Sequence, residues 1–540
     1  MNERKKTLSK LTIIFMVFAT VFALRNIINN QVQFGLLSML LFLVGGIVYA
    51  IPIVFISSEF ASIKKLKNAE AGLGSYCSLI LDKKCGFLAS WSSFFTNLFY
   101  FATLAPFTVI AISFVITGTN GFDLLALKLN ENGMDEDNAS RVSAILLACI
   151  AIVIFWIGSF IAKKGARWIG IITNIGGTAS LMLGVVFIVL CLFVALPVFK
   201  NGQVPSSFDK EHLNPMSSWG FDGDWWGFMS AFPWIMISYN GIETMAVFMR
   251  DTKKGPKAFK ISTLIGMLIV IFLMVCGGLA LSLVIEQGLI TKWGLSNTYY
   301  YVFSYMFNLP FDSIGGTIII RVVALVTALN GLGALFFWTV GPVKVFFSEI
   351  PEGVMGKWAQ KTNKAGVPTN GIIAQAIVVT IILLIVGVTT TGAIGKGSSN
   401  FLTLITQTTT TMSVFPFLFF FISYIKLRWK LEDTERTTKF FKNKYIAITI
   451  TSISLMVIII AIIFGAIPSP VSWKSDWVTS LTSLLLSVGG LVIFMGFAML
   501  MWYLNVQRKN KKLSLNNTEI NEFMTSNITK EEKVKENKKN

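Results

Sequence analysis

The chain has 540 residues, 54% of them hydrophobic and 14% charged, with a formal net charge of +18. A soluble protein of this length needs a far more polar surface, so water is excluded as the main solvent. Continuous apolar runs of ~20 residues recur, each able to cross a ~30 Å hydrocarbon layer as a helix; barrel strands, which alternate apolar and polar residues, are excluded.

The first run follows Lys5, Lys6 and Lys10 and extends from Leu11. No small-x-small cleavage site follows it and apolar sequence resumes at once, so it reads as a first span, not a signal peptide. Its second half, "FALRNIINNQVQFG" (Phe22 to Gly35), is polar and holds Arg25, Asn26, Asn29 and Asn30. A charge near mid-bilayer costs from a few to ~10 kcal/mol, so a carboxylate, backbone carbonyls or water must hold Arg25. The later runs cover roughly 36–62, 87–117, 141–162, 167–196, 225–249 (broken), 258–285, 314–347, 371–392, 399–427, 444–467 and 477–504. With the first run, 11–34, this makes twelve predicted spans of an all-α integral membrane protein.

Charge tests the count. With both termini cytoplasmic, the inner segments collect Arg4 to Lys6, Lys64 to Lys84, Lys163 to Arg167, Arg250 to Lys260, Lys344 to Lys364, Lys426 to Lys444 and Arg508 to Lys512. The opposite loops hold Asp123, Glu131, Asp135, Asp137, Asp209, Glu211, Asp222 and Asp224. This is the positive-inside pattern, and it explains the basic balance better than nucleic acid does. Trp225, Trp226, Trp293, Trp473 and Trp477 fall near outer boundaries, and Trp168, Trp429 and Trp502 near inner ones, as an aromatic belt. Cys77, Cys85, Cys149, Cys191 and Cys276 are scattered with no metal spacing, so no metal or cofactor is expected. The tail from Asn505 to Asn540 is rich in Lys, Asn and Glu and is expected to be disordered.

The sixth run is interrupted by "SYNGIE", Ser238 to Glu243. Gly241 weakens the helix, and Asn240 with Glu243 has the spacing of a capping box, so the helix is expected to stop at Tyr239 and restart after Asn240. A helix end in mid-membrane exposes amides and carbonyls that need partners. Broken spans one and six are five apart, the mark of two inverted five-helix repeats with a site between them.

Three further stretches carry a family likeness. "ISSEFASIKKLKNAEAGLGSY" (Ile56 to Tyr76), "SYNGIETMAVFMRDTKKGPKAF" (Ser238 to Phe259) and "RVVALVTALNGLGALFFWTVGPVKVFF" (Arg321 to Phe347), the last followed by "NKAGVPTNGIIAQAI", resemble amino acid–polyamine–organocation permeases. The W-x-V-G-P and N-K-x-G-V-P strings are most similar to the bacterial glutamate/GABA antiporter branch. The resemblance implies a fold of leucine-transporter type: residues 11–196 and 225–430 as the two repeats, 197–224 as an outer loop and 431–504 as two peripheral helices. It implies a transporter in a bacterial cell membrane, not an enzyme, moving amino acids or their decarboxylation products, often by exchange. It places Phe22, Ala23, Leu24, Arg25 and Asn26, with Tyr239, Asn240 and Gly241, against the substrate's amino and carboxyl groups. Proton- or sodium-coupled symport, or a sensor on the same scaffold, stay open as alternatives.

The departures matter. The glycine-rich first-helix motif of the superfamily is missing, with Ala23 and Arg25 in its place. The tail has no histidine and the single one, His212, lies in an outer loop, so a plug-like acid gate is not expected. Arginine keeps its proton, so Arg25 carries no proton itself. It can bind a substrate carboxylate, stand where relatives hold sodium, or pair with Glu243 as a gate; Glu243, unpaired, can couple transport to protons. A basic residue in the fifth span would replace sodium, but Arg167 lies at its inner edge and Lys200 beyond it. Thr339 is a candidate sodium ligand, although a lone membrane threonine usually bonds its own helix. Gln407 and Thr410 either line the outer path or glue helices together. Arg321 is expected to snorkel, and Glu59 to fix a cytoplasmic contact.

Overall fold

A computed structural model describes residues 8–66, 72–162, 166–201, 225–253, 255–349, 354–355, 361, 363 and 368–507. The expectations for His212, for the side chains of Arg167 and Lys200 and for the tail beyond 507 lie outside the described residues. Within them the chain is helical, with two isolated backbone bridges and no sheet.

The first span is two helices, α1 (Lys10–Val21) and α2 (Leu24–Phe34), bent by 43°. Then come α3 (Leu37–Ala61, containing a π-helical turn), α4 (Leu73–Ile80), α5 (Lys83–Thr117), α6 (Gly121–Glu131), α7 (Glu136–Ala162) and α8 (Ala166–Asn201). After 225 follow α9 (Trp225–Ile237), a 3-10 segment (Ile242–Asp251), α10 (Gly255–Val284), α11 (Gln287–Met306) and α12 (Ile314–Glu349). The chain closes with α13 (Thr369–Thr389), α14 (Gly397–Val414), α15 (Pro416–Lys430), α16 (Lys444–Ala466), α17 (Pro470–Ser475) and α18 (Trp477–Val506). Ten helices among the described residues are long and apolar enough to cross a membrane, and the bent α1–α2 pair makes an eleventh. Segment 225–251 falls into two pieces too short to qualify, so length and hydropathy alone do not reproduce the twelve expected spans.

Helix ends follow local chemistry. Asp82 caps α5 through the amide of Cys85 at 2.7 Å, and Asn443 caps α16 through Tyr445 at 2.9 Å. Helix α5 stops at Gly118, whose φ of 76° suits glycine best. Apolar side chains such as Phe193, Phe272 and Ile493 stay exposed along the outer faces, which is the surface a bilayer covers.

Four helices lie outside the predicted spans, namely α4, α6, α11 and α17, and α11 is the longest of them. Helix α11 lies between the seventh and eighth predicted spans, where Gln287, Lys292, Ser296 and Asn297 interrupt the apolar pattern. It bends at Gly294 (φ 68°) and is pinned by polar contacts instead of a lipid face. Asp123 of α6 accepts hydrogen bonds from Asn120 (3.1 Å), from Asn297 of α11 (2.9 Å) and from Ser398 of α14 (2.6 Å). Lys396 donates to the carbonyls of Thr291 and Lys292, both at 2.8 Å.

The expected inner end carries a buried charge cluster. Glu59, at the end of α3, accepts from Arg428 (2.9 Å), Tyr424 (2.7 Å) and the Phe440 amide (3.1 Å), and pairs with Arg436 at 3.1 Å. The bridge between Ile63 and Arg436 closes the same junction, so Glu59 makes the fixed contact expected of it.

Candidate functional site

Helix α1 ends because Phe22 and Ala23 are extended, with φ/ψ of −71°/124° and −141°/123°. Neither glycine nor proline causes this. Phe22 stacks on Phe18 at 4.8 Å and lies against Gly184 of α8, where a Cβ would come within 2.7 Å of the Phe22 ring. The break is therefore set by tertiary packing. It leaves the last carbonyls of α1 and the amides of Leu24 and Arg25 without intrahelical partners.

The sixth-span break is set locally. After Ile237 the chain tightens into three successive i→i−3 hydrogen bonds, from the amides of Ser238, Tyr239 and Asn240. Gly241 then takes φ 108°, a conformation that L side chains rarely adopt. The expected capping box does not form. The Glu243 carboxylate takes the amide of Gly241 at 2.9 Å, not that of Asn240. Asn240 instead turns its Oδ1 to the hydroxyl of Tyr49 in α3, at 2.7 Å. The reason is geometric: the restart is a 3-10 turn whose first residue is Ile242, so the cap position moves on to Gly241.

The two breaks face each other. A Cβ on Gly241 would sit 3.1 Å from the Thr20 methyl and 3.4 Å from its carbonyl oxygen. Asn30 donates to the Ser238 hydroxyl at 3.2 Å and to the Asn26 carbonyl at 2.8 Å. The Asn26 amide reaches the Ser238 carbonyl at 3.5 Å, a weak contact. Of the expected site residues, Phe22, Leu24 and Tyr239 are buried as walls, and Ala23, Arg25, Asn26, Asn240 and Gly241 are half-buried.

Arg25 does not pair with Glu243. Its guanidinium lies over the ring of Phe107 in α5, 4.9 Å from the centroid, and its charge acts on Tyr299 and Tyr300 of α11. Among the described residues it has no carboxylate partner. Tyr300 of α11 stacks at 4.1 Å on Phe114, which shares α5 with Phe107. The sequence did not mark Phe107, Tyr299 or Tyr300. The run "TYYYVFSYM" was the available signal for the last two; Phe107 is one phenylalanine among 46.

Other expectations resolve against a direct role. The Thr339 hydroxyl donates to the Leu335 carbonyl of its own helix at 2.5 Å. Gln407 accepts from Trp234 and donates to the Gly465 carbonyl at 3.1 Å, and Thr410 bonds the Gln407 carbonyl at 2.8 Å. Gln407 thus glues α9, α14 and α16 together, while Thr410 bonds its own helix. Arg321 reaches the Ile116 carbonyl at 3.3 Å at the end of α5, a structural tie. Surface hollows beside Tyr305–Phe311 and beside Ile422–Lys430 both lie away from the breaks.

Two facing interrupted spans inside a bundle of long apolar helices are the arrangement of a multi-pass membrane protein. Residues 8–491 match the family described as amino acid permease, and the chain belongs to that family, within the amino acid–polyamine–organocation superfamily. It is a transporter, not an enzyme. It is 22% identical over 465 residues to the aspartate/glutamate permease AcaP of Lactococcus lactis, covering 85% of this chain and 87% of that protein. It is 24% identical over 448 residues to a glutamate/gamma-aminobutyrate antiporter of Lactococcus lactis (82% and 81%). The inner membrane transporter YjeM of Escherichia coli is 22% identical over 514 residues (92% and 95%). With bacterial relatives throughout, the chain is a multi-pass protein of a bacterial cell membrane.

Proposed function

We propose that this permease exchanges amino acids by alternating access, and that its substrates carry an anionic side chain. The observation that supports this is Arg25: a half-buried cation beside two facing helix breaks, with no carboxylate partner among the described residues. In this reading the twelve spans form two inverted five-helix repeats, 11–196 and 225–430, with 431–504 peripheral and both termini cytoplasmic. The first spans of the two repeats then supply the breaks. The amides of Leu24 and Arg25 take the substrate's α-carboxylate, and the carbonyls of Tyr239 and Asn240 take its ammonium group. Phe22, Ala23, Tyr239 and Asn240 shape the walls. The Arg25 fork takes the side-chain carboxylate, an interaction that a lysine's point charge does not reproduce.

The names of two relatives, an aspartate/glutamate permease and a glutamate/gamma-aminobutyrate antiporter, agree with an acidic substrate. Exchange is favoured because one of these relatives is named an antiporter. The test is counterflow into vesicles preloaded with glutamate, challenged with labelled acidic, neutral and basic amino acids. Uptake of acidic substrates that depends on internal glutamate is expected. Binding without flux would point to a sensor instead. Arg25→Ala should abolish uptake of glutamate and aspartate with insertion intact; normal uptake would remove Arg25 from the site.

A further inference from the structure

Helix α3 meets the sixth-span break at two points, and a proline shapes one of them. The sequence around it is "FLVGGIVYAIP", Phe42 to Pro52. Pro52 has no amide hydrogen, so the carbonyl of Val48, four residues earlier, has no helical donor, and the proline ring crowds that carbonyl. The helix responds by widening. The amide of Ile51 bonds the carbonyl of Gly46, five residues back, and Gly46–Ala50 forms a π-helical turn. The stranded Val48 carbonyl is taken by the Ser454 hydroxyl of α16 at 2.7 Å. Gly45 and Gly46 let this turn approach its neighbours: a Cβ on Gly45 would come within 2.4 Å of Ile235 in α9, and one on Gly46 within 2.8 Å of Ile271 in α10.

The widened turn presents Tyr49 to the break. Its ring is buried edge-on against Phe417 of α15 at 5.4 Å, and its hydroxyl donates to Asn240 Oδ1 at 2.7 Å. The residue before Asn240 is held from the same helix: the Tyr239 hydroxyl donates to the Phe42 carbonyl at 2.7 Å. Tyr239 and Asn240, the two residues ahead of the left-handed Gly241, are thus tied to α3 by one hydrogen bond each. Both bonds are largely shielded from water, so losing either leaves a polar group without its partner.

We propose that Tyr49, presented by the π-helical turn of α3, is a positioning residue that fixes the sixth-span break in its substrate-binding geometry. The inference rests on the reading of that break as the binding site. Tyr49 touches no substrate itself; it holds Asn240 and, through it, the backbone of the Ser238–Gly241 turn.

The test is Tyr49→Phe, which removes one oxygen and keeps the ring against Phe417, with two readouts. The first needs no substrate: amide hydrogen exchange of Ser238–Glu243 in the purified protein. Loss of one buried hydrogen bond should speed exchange there about tenfold, with the core of α5 unchanged. The second is counterflow with labelled L-glutamate and L-aspartate, in which KM should rise about tenfold while the maximal rate falls much less. Unaltered exchange at Ser238–Glu243 overturns the proposal, and so does faster exchange with an unaltered KM. If the wild-type protein shows no counterflow, the exchange reading fails, and the clamp is still judged by the hydrogen-exchange rates. If Tyr49→Phe does not accumulate, Tyr239→Phe removes the other bond and carries the same two readouts.

Discussion

Replacing Glu59 by alanine should destabilise the protein more than any other single substitution in the charge cluster at the end of α3. Glu59 and Arg428 are each 0% exposed and Arg436 is 1% exposed, so neither guanidinium can turn to water when the carboxylate is gone. Glu59 also accepts hydrogen bonds from Tyr424 and from the Phe440 amide. Removing one partner of a buried ion pair costs about 3–5 kcal/mol, because the remaining charge stays desolvated. Glu432 compensates in part. It lies 3.4 Å from Arg428 and 2.8 Å from Arg436 and is 25% exposed. Burial works against its charge, but hydrogen bonds from Lys439 and Arg436 outweigh burial and hold its carboxyl below the usual range. The loss is therefore expected near the lower end, about 3 kcal/mol. The assay is thermal unfolding in detergent, followed by retention of the monodisperse fraction. Glu59→Ala should melt well below the wild type. Combining Glu59→Leu with Arg428→Met and Arg436→Leu should recover much of the loss, since the buried charges disappear together and the part-exposed Glu432 keeps Lys439 at 2.6 Å. A Glu59→Ala melting curve superimposable on that of the wild type would refute the reasoning.

Two further outcomes concern titration. Glu243→Gln should flatten the pH profile of glutamate uptake if this carboxylate carries a proton during transport; an unchanged profile would leave it only the cap on the Gly241 amide. In the first turn of α6, burial raises the Asp123 carboxyl above its ordinary value of 3.8, opposed by hydrogen bonds from Ser398 and Asn297 and by the charge of Lys396. The folded protein therefore binds this proton more readily than the unfolded chain does. Its contribution to stability is largest below 3.8 and is lost as pH rises through the raised value. Asp123→Asn, which cannot titrate, should flatten the pH dependence of melting over that window, and a variant with the wild-type slope would contradict the assignment.

Much of the architecture was legible because it depends on each residue's own affinity for water. The long apolar runs located the helices, and the single glycine at 241 located the sixth-span break, since few other residues adopt φ 108°. The break at Phe22 and Ala23 was signalled by polarity, not by a helix breaker. Its exact place follows from the room that Gly184 gives the Phe22 ring. Helix α11 was missed because its buried face looks toward protein, so its polar residues disguised it as a loop.

Membrane residence, the family and most of the long helices follow from the sequence, because hydropathy and local motifs are properties of neighbouring residues. Which groups meet was decided only by the tertiary structure. Arg25 lies over Phe107 rather than beside Glu243, and Asn240 bonds Tyr49 across 191 positions of chain rather than capping its own helix. Such pairings require distant segments to be packed together first. A hydrogen bond in an apolar interior is strong enough to override the local preference that the sequence displays.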